Sequence, residues 1–490
     1  MLNTSVILSV FVVYTAFIFL VTYITSRKAN NESYFIGNRR SLWYVVAYGM
    51  IGASLSGVTF MSVPGWVGET GFSYFMVVVG YWLGYLVISF VLLPLYYRLN
   101  LTSIYSYLGG RFGFTSYKSG SLLFIISRLL GASLRMFLVV NVLQIFLFNG
   151  LGVPFFLTAT IFILLVLLYT FQGGIKTIVW TDTLQTTFML IAVVMTIVMI
   201  SDRMGVGLGE LFKRVMASEY SNIIITDFSA RNHWLKQLLS GAFITITMTG
   251  LDQEMMQKNL SCRNLRDAQK NMLSFSVVLV FVNMIFLFLG ATLFLYANEA
   301  GIEIPVLKDD LFATISLQYL SPLAGIVFLV GLISAAYPSA DGAITSLTTS
   351  FSIDILGIND KLWSESRKKK TRLMVHFGFA IVLLLLIGMF SIINDRSVID
   401  KLFTIAGYTY GPLLGLFAFG LFSKKEIKDK FVPVIALVSP VICYTISSQS
   451  EVLFNGYKFG FELLILNGLL TYTGLWIIRK RQISTNKQQF

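Results

Sequence analysis

Long apolar stretches, separated by short polar segments, recur along the whole 490-residue chain. A helix of roughly 20 such residues crosses about 30 Å of hydrocarbon. The pattern predicts thirteen helical spans: 5–26, 43–65, 71–97, 118–148, 153–171, 178–200, 233–257, 272–296, 322–355, 372–393, 398–422, 431–449 and 459–478. The connections are too short for a separate soluble domain, so we predict a single all-α integral membrane domain.

Composition and charge agree with this prediction. Charged residues make up only 12% of the chain, against about 25% in soluble domains. With the N-terminus outside, 26 of the 37 Lys and Arg residues, including Arg27, Lys28 and Lys258, fall in segments on the cytoplasmic side. This positive-inside bias predicts an outside N-terminus and, after thirteen spans, an inside C-terminus. The net charge of +13 is thus a topology signal and not a sign of nucleic-acid binding.

The second predicted span, 43–65, is irregular because small and hydroxyl residues, among them Gly52, Ser54 and Ser56, cluster at its middle. Glycine weakens a helix, and serine side chains compete for backbone carbonyls. Two interpretations stay open. The small residues allow close helix packing, or the helix is discontinuous at mid-membrane and its freed carbonyls bind an ion or substrate.

The seventh predicted span, 233–257, has a related irregularity, in which threonines alternate with apolar residues before Gly250. Asp252 and Glu254 follow. They lie either at an unwound segment or at a helix end on the water boundary.

The two irregular spans lie five spans apart, which predicts two five-helix units of opposite orientation, 43–200 and 233–422. The helix 5–26 precedes them and two helices over 431–478 follow. This repeat is inferred from the number of spans and from the irregularities alone. Inverted repeats place substrate and coupling ion at their interface near the midplane.

The ionisable residues inside predicted spans include Arg128 and Arg135 in the fourth, Asp182 in the sixth and Asp341 in the ninth. Such groups are costly in hydrocarbon and usually face a bundle interior or a wet cavity. We predict Asp182 and Asp341 as a possible second cation or proton site. For Asp182, stabilisation by the helix dipole alone is the open alternative.

The ninth span carries a polar stripe in which Ala335, Ser339 and Gly342 share a helix face, while Pro338 frees the carbonyl of Ser334. Hydroxyl, carbonyl and carboxylate oxygens suit a hard cation such as Na⁺, whereas transition metals favour sulfur or imidazole. The chain has only two cysteines and two histidines. We therefore predict a sodium site and no transition metal, with a hydroxyl-rich packing face as the alternative.

Several short motifs occur in a characteristic order: Gly173–Lys176 leading into Trp180–Gln185, then Asp252–Gln253 with Gln257, then Ala335–Asp354. With their spacing across thirteen spans, the chain resembles the sodium:solute symporter family over nearly its whole length. This resemblance implies the LeuT-type fold, with two inverted five-helix repeats.

The resemblance also implies a sodium site formed by the carbonyls of Gly52, Leu55 and Ala335 and by the side chain of Ser339. The family pattern has two adjacent hydroxyl residues here, but this chain has Pro338 at the first, so one side-chain ligand is missing. Asp182 matches an acidic position that contributes to a second sodium site in some relatives.

For the substrate, the resemblance implies a pocket among the second, third, fourth, seventh and eleventh spans. Ser54, Ser56 and Thr59 offer hydrogen bonds there. Arg135 lies near the centre of its span, and a guanidinium binds carboxylate through two parallel hydrogen bonds. We predict an anionic substrate, with Arg135 paired to an internal acid or capping helix carbonyls as the alternative.

The expected function is sodium-driven symport, that is, uptake of a small organic solute such as a carboxylate or acidic sugar across the cell membrane by a multi-pass protein. Na⁺, the solute and the lipid bilayer are the expected partners of a monomeric transporter without nucleic acid or further cofactor. Uptake of a neutral sugar, proton coupling, a channel and a membrane sensor are the alternatives. The chain lacks a phosphate loop, a metalloprotease helix and a Cys/His pair, so we do not expect an enzyme.

Overall fold

The computed structural model describes residues 4–25, 34–35, 37–170, 174–393 and 398–480. Arg27, Lys28 and Gly173 lie outside these ranges. The helices, numbered in chain order, are α1 Thr4–Thr25, α2 Trp43–Thr70, α3 Tyr74–Val87, α4 Leu93–Arg98, α5 Ser106–Arg111, α6 Phe114–Leu143, α7 Phe155–Thr170, α8 Gly174–Arg203, α9 Leu208–Ala217, α10 Trp234–Thr245, α11 Gln253–Leu260, α12 Leu265–Glu299, α13 Leu311–Thr314, α14 Pro322–Ser350, α15 Glu365–Ile393, α16 Val398–Phe422, α17 Val432–Ser448, α18 Ser450–Leu453 and α19 Leu463–Ile477.

The all-helical prediction is confirmed for the described ranges, where nine helical stretches are long and apolar enough to cross a membrane. One of them, Trp43–Arg98, contains two predicted spans, and Phe155–Leu168 and Leu463–Ile477 are shorter apolar helices. Every predicted span overlaps a helix or a broken helix of the structure. The number of helices that cross the bilayer stays a prediction.

The second predicted span is one element, α2, with a break at its centre. Ser56 has φ 53° and ψ 174°, outside the helical region. A non-glycine residue held there costs on the order of 1–3 kcal/mol and tends to mark a functional site. Close packing occurs as well, since a Cβ on Gly57 would lie 2.6 Å from Val139. Close packing and a break are therefore both present, and binding of an ion or substrate by the freed carbonyls stays a prediction.

The seventh predicted span is divided. Helix α10 ends in a π-helical turn, Ile246–Gly250, and α11 begins at Gln253 after a non-helical Leu251 and Asp252. The broken helices α2 and α10–α11 are each the first of a predicted five-helix unit. The boundaries of those units stay a prediction.

Helix α2 lies at the centre of the molecule, where it packs against α8, α12 and α14. It continues to Thr70, beyond the predicted end at residue 65, because Pro64 is accommodated inside the helix. Helix α14 likewise runs through Pro338 as one helix. The two helices that carry the polar segments of the sequence, α2 and α14, thus pack against each other.

Candidate functional site

A small central cavity of about 80 Å³ lies at the break in α2. Ser54, Ser56 and Thr59 of α2 line it together with Arg135 of α6. The structure thus brings together all four residues predicted to bind substrate, and their role in binding stays a prediction. The remaining wall is largely aromatic and aliphatic, and it includes Tyr74, Tyr81, Tyr85, Met248, Leu402 and Phe403.

The two arginines of α6 have different surroundings. Arg128 is 5% exposed, its Nη2 pairs with Glu254 and its Nη1 lies 3.7 Å from Asp252 Oδ2. Arg135 has no ion pair with any described residue, and its Nε has no hydrogen-bond partner among them. The internal acids that were an alternative partner for Arg135 are therefore held by Arg128.

Asp252 forms the N-cap of α11. Its Oδ1 accepts hydrogen bonds from the amides of Glu254 at 2.9 Å and Met255 at 3.3 Å, and its Oδ2 accepts one from Tyr410 at 2.8 Å. Asp252 is 0% exposed and Glu254 1% exposed. The alternative that these acids lie at a water boundary is wrong, because the turn buries them against α6 and α16.

The carbonyls freed at this break already have donors. The hydroxyl of Tyr96 donates to the Gly250 carbonyl and that of Tyr105 donates to the Leu251 carbonyl, both at 2.9 Å. Buried carbonyls need such partners. The second break is therefore fixed by protein hydrogen bonds.

Lys258 continues the chain of charges from Glu254 toward α8. Its Nζ lies 2.7 Å from Asp182 Oδ2 and 3.5 Å from Glu254 Oε1, and it is 1% exposed. Lys258 was predicted in a cytoplasmic connection; it belongs to the last turn of α11 and is buried, and the side of the membrane on which it lies stays a prediction. We call the five groups the charge ladder: Asp182, Lys258, Glu254, Arg128 and Asp252.

The charge ladder as a unit is not predicted by the sequence. One signal was available, since Glu254 and Lys258 are four residues apart and face each other once the segment is helical. The pairings to α6 and α8 join residues far apart in sequence and follow only from the tertiary fold.

The predicted sodium ligands lie where α2 meets α8 and α14. Ser339 on α14 is 2% exposed, and its hydroxyl has no hydrogen-bond partner in the described part of the chain. A buried polar group without a partner costs about 1–3 kcal/mol. A hard cation beside it would relieve that cost, so this hydroxyl fits a sodium ligand.

The backbone of α2 is fixed from the α8 side. The amide of Gly52 donates to Thr186 Oγ1 at 3.0 Å, and a Cβ on Gly49 would lie 3.1 Å from the Cβ of Asp182. On α14, Ala335 and Asp341 are both 0% exposed. Asp182 thus packs on α2 at Gly49, three residues before Gly52, and the grouping of Gly52, Leu55, Ala335 and Ser339 around one sodium ion stays a prediction.

A larger hollow of about 430 Å³ lies beyond the C-terminal half of α2, lined in part by Trp66 and Phe461. The rings of these two residues are 5.9 Å apart, and Phe461 packs at 4.7 Å on Phe403, which lines the central cavity. An aromatic layer thus separates the two hollows. At the opposite end of the cavity, α11 is buried along its whole length.

Comparisons with known proteins agree with this architecture. The model of the sodium:solute symporter family matches residues 34–429. The sodium/sialic acid symporter SiaT of Proteus mirabilis is 23% identical over 478 residues, 94% of this chain and 93% of that protein. The sodium/sialic acid symporter NanT of Aliivibrio fischeri is 22% identical over 465 residues, 92% and 89% of the two chains.

Two solved structures are similar in fold. A substrate-bound, outward-open sodium-coupled sialic acid symporter has a TM-score of 0.82 at 20% identity, with 97% of this chain and 98% of that chain covered. Mhp1, a nucleobase-cation-symport-1 family transporter, has a TM-score of 0.56 at 15% identity, with 91% and 93% covered. These likenesses show the LeuT-type fold. The chain therefore belongs to the sodium:solute symporter family and is a multi-pass protein of the cell membrane that couples sodium to solute transport.

Proposed function

We propose that this symporter takes up a small anionic solute, a carboxylate or an acidic sugar, and that Arg135 binds its carboxylate. The observation that carries the proposal is the contrast within α6, where Arg128 is neutralised by Glu254 and Arg135 lines the cavity without an acidic partner among the described residues. A buried cation needs a counter-charge, and a guanidinium binds carboxylate in a bidentate manner. The sialic acid specificity of two relatives supports the same class.

The coupling sodium is proposed to bind the carbonyls of Gly52, Leu55 and Ala335 and the hydroxyl of Ser339. Proline at 338 removes one hydroxyl of the family pattern, so Asp341, water or the Ser334 carbonyl would complete the shell. The Ser334 hydroxyl is already bonded to Tyr14 at 2.6 Å. A second cation position is proposed beside Asp182 and Asp341.

We propose thirteen spans, an outside N-terminus and an inside C-terminus, in a monomer with repeats over 43–200 and 233–422. Both native cysteines, Cys262 and Cys443, are buried, so an impermeant maleimide would report only on introduced cysteines. Lys213→Cys should label in intact cells. Lys369→Cys, an equally exposed position, should label only after permeabilisation, and the reverse pattern would invert the topology.

The substrate proposal is tested by uptake in proteoliposomes with an inward sodium or choline gradient and labelled sialic acid, a monocarboxylate or a neutral sugar. Sodium-dependent accumulation of an anionic solute is expected. Arg135→Gln should raise KM about 10- to 150-fold, since a hydrogen bond to a charged group contributes roughly 1.5–3 kcal/mol.

Arg214→Gln is the matched control, because Arg214 is 41% exposed and far from the cavity. It should leave KM unchanged. If Arg135→Gln transports the anion with the wild-type KM, or if only the neutral sugar accumulates, the anion proposal is wrong.

A further inference from the structure

One end of the charge ladder, the Asp182–Lys258 pair, belongs neither to the proposed ligands of the coupling sodium nor to the lining of the solute cavity. The ladder alternates in sign from α8 to the turn before α11, in the order Asp182, Lys258, Glu254, Arg128, Asp252, and every member is 5% exposed or less. Each basic group lies between two acids. The ladder has three acids and two bases, which leaves a formal charge of −1.

Lys258 lies where a second coupling cation would be expected. The proposed second cation position is beside Asp182, and Lys258 Nζ lies 2.7 Å from Asp182 Oδ2. The other oxygen of Asp182 has no hydrogen-bond partner among the described residues. Lys258 is thus the counter-ion that the structure supplies to this carboxylate.

The ammonium group also lies near another buried acid, Glu254, which is not one of the two acids predicted for the second cation position. Glu254 Oε1 lies 3.5 Å from Lys258 Nζ, and Glu254 packs so closely against Gly342 of α14 that a Cβ there would collide with its carboxylate. Two buried carboxylates without a cation would repel each other, and each would pay several kcal/mol of desolvation. One cation placed between them relieves the repulsion and offsets part of the desolvation cost.

We propose that the Lys258 ammonium is a tethered cation that takes the place of a second sodium ion, so that the transporter moves one sodium per solute. This inference rests on the proposed sodium site at Ser339, and it adds the occupant of the position at Asp182. A covalently attached cation cannot cross the membrane. It keeps Asp182 and Glu254 neutralised through the transport cycle without adding to the charge that crosses the membrane with the solute.

The test measures sodium stoichiometry in two independent ways. The first is the dependence of the melting temperature of the purified protein on sodium concentration at constant ionic strength, since an ion that binds only the native state raises its apparent stability. The second is the ratio of labelled sodium to solute taken up by proteoliposomes. The wild type should behave as a protein with about one sodium ion in both measurements.

Lys258→Met removes the ammonium and keeps the length of the side chain. We expect this variant to melt at a lower temperature than the wild type in choline, to regain stability in sodium, and to bind about two sodium ions. Lys258→Met combined with Asp182→Asn removes both partners and should return to about one sodium ion. Lys270→Met is the matched control because Lys270 is exposed on the neighbouring helix α12, and it should match the wild type.

Two results would overturn the proposal. One is a wild type that takes up two sodium ions per solute. The other is a folded Lys258→Met that binds one sodium ion with wild-type affinity, which would make the lysine a structural ion pair only. If Lys258→Met does not fold, the wild-type ratio and the double variant still decide. A wild type without any sodium response would instead refute the proposed sodium site.

Discussion

Replacing Ser339 by alanine should weaken sodium binding without weakening the fold. The Ser339 hydroxyl is buried, and it has no hydrogen-bond partner in the described part of the chain. Its removal therefore leaves no protein group unpaired. At most buried sites a serine-to-alanine change leaves a hydrogen-bond partner unsatisfied and lowers stability. At this site no such partner exists among the described residues, so the effect on sodium affinity can be measured separately from an effect on stability.

The magnitude follows from the ligand that is lost. A polar contact to a charged group contributes about 1.5–3 kcal/mol, and each 1.4 kcal/mol is about tenfold in affinity. Ser339→Ala should therefore raise the sodium dissociation constant about 10- to 150-fold. The melting temperature in choline should be equal to or slightly above that of the wild type, because an unpartnered hydroxyl no longer has to be buried.

The assay is thermal unfolding of purified protein while sodium replaces choline at constant ionic strength. Ser62→Ala is the matched control, since this hydroxyl on α2 is likewise buried and unpartnered among the described residues but lies beyond the break. It should leave the sodium response unchanged. If Ser339→Ala responds to sodium at wild-type concentrations, Ser339 is not a ligand and the site is misplaced.

Three further changes test the surrounding structure. Arg128→Met leaves Glu254 without its guanidinium partner and should lower stability by about 3–5 kcal/mol. Adding Glu254→Gln should recover most of this loss in thermal unfolding. If Arg128→Met melts at the same temperature as the wild type, the expectation is contradicted. Gly342→Ala should lower the melting temperature by overpacking, at about 1–3 kcal/mol, because its Cβ meets the Glu254 carboxylate. Burial and the charge of Asp309 raise the pKa of Asp310 to about 6. The contribution of protonated Asp310 to stability is therefore present at low pH and lost as the pH rises through 6. Asp310→Asn should make the free energy of unfolding vary less between pH 4 and 7.

The helical spans and the place of the breaks were predictable because their causes are local. Apolar length defines the spans, and the glycine and serine cluster at Gly52–Ser56 weakens α2 where the structure breaks it. These two features depend on residues within one or two turns of each other. The four cavity residues, in contrast, were predicted from the resemblance to the family.

The charge ladder was not predictable because its pairs join distant segments. Lys258 follows a polar stretch and looks like a cytoplasmic residue in sequence, yet the break before α11 turns it inward to Asp182, 76 positions away. The same tertiary arrangement decides which arginine of α6 is neutralised. Arg128 and Arg135 lie two turns apart and are equivalent in sequence, and only the position of Glu254 distinguishes them.

The break in α2 explains how ion and solute binding become coupled. Gly52 and Leu55 are proposed to hold sodium and Ser54, Ser56 and Thr59 to contact solute, so one segment of eight residues, 52–59, serves both ligands. If sodium fixes the backbone at Ser56, the solute finds its hydrogen-bond groups already oriented, and the effect is reciprocal by thermodynamic linkage. A charge moving through 100 mV contributes about 2.3 kcal/mol. One sodium ion carried with a monoanion moves no net charge. The tethered cation at Lys258 would therefore make accumulation depend on the sodium concentration gradient alone and free it from the membrane potential.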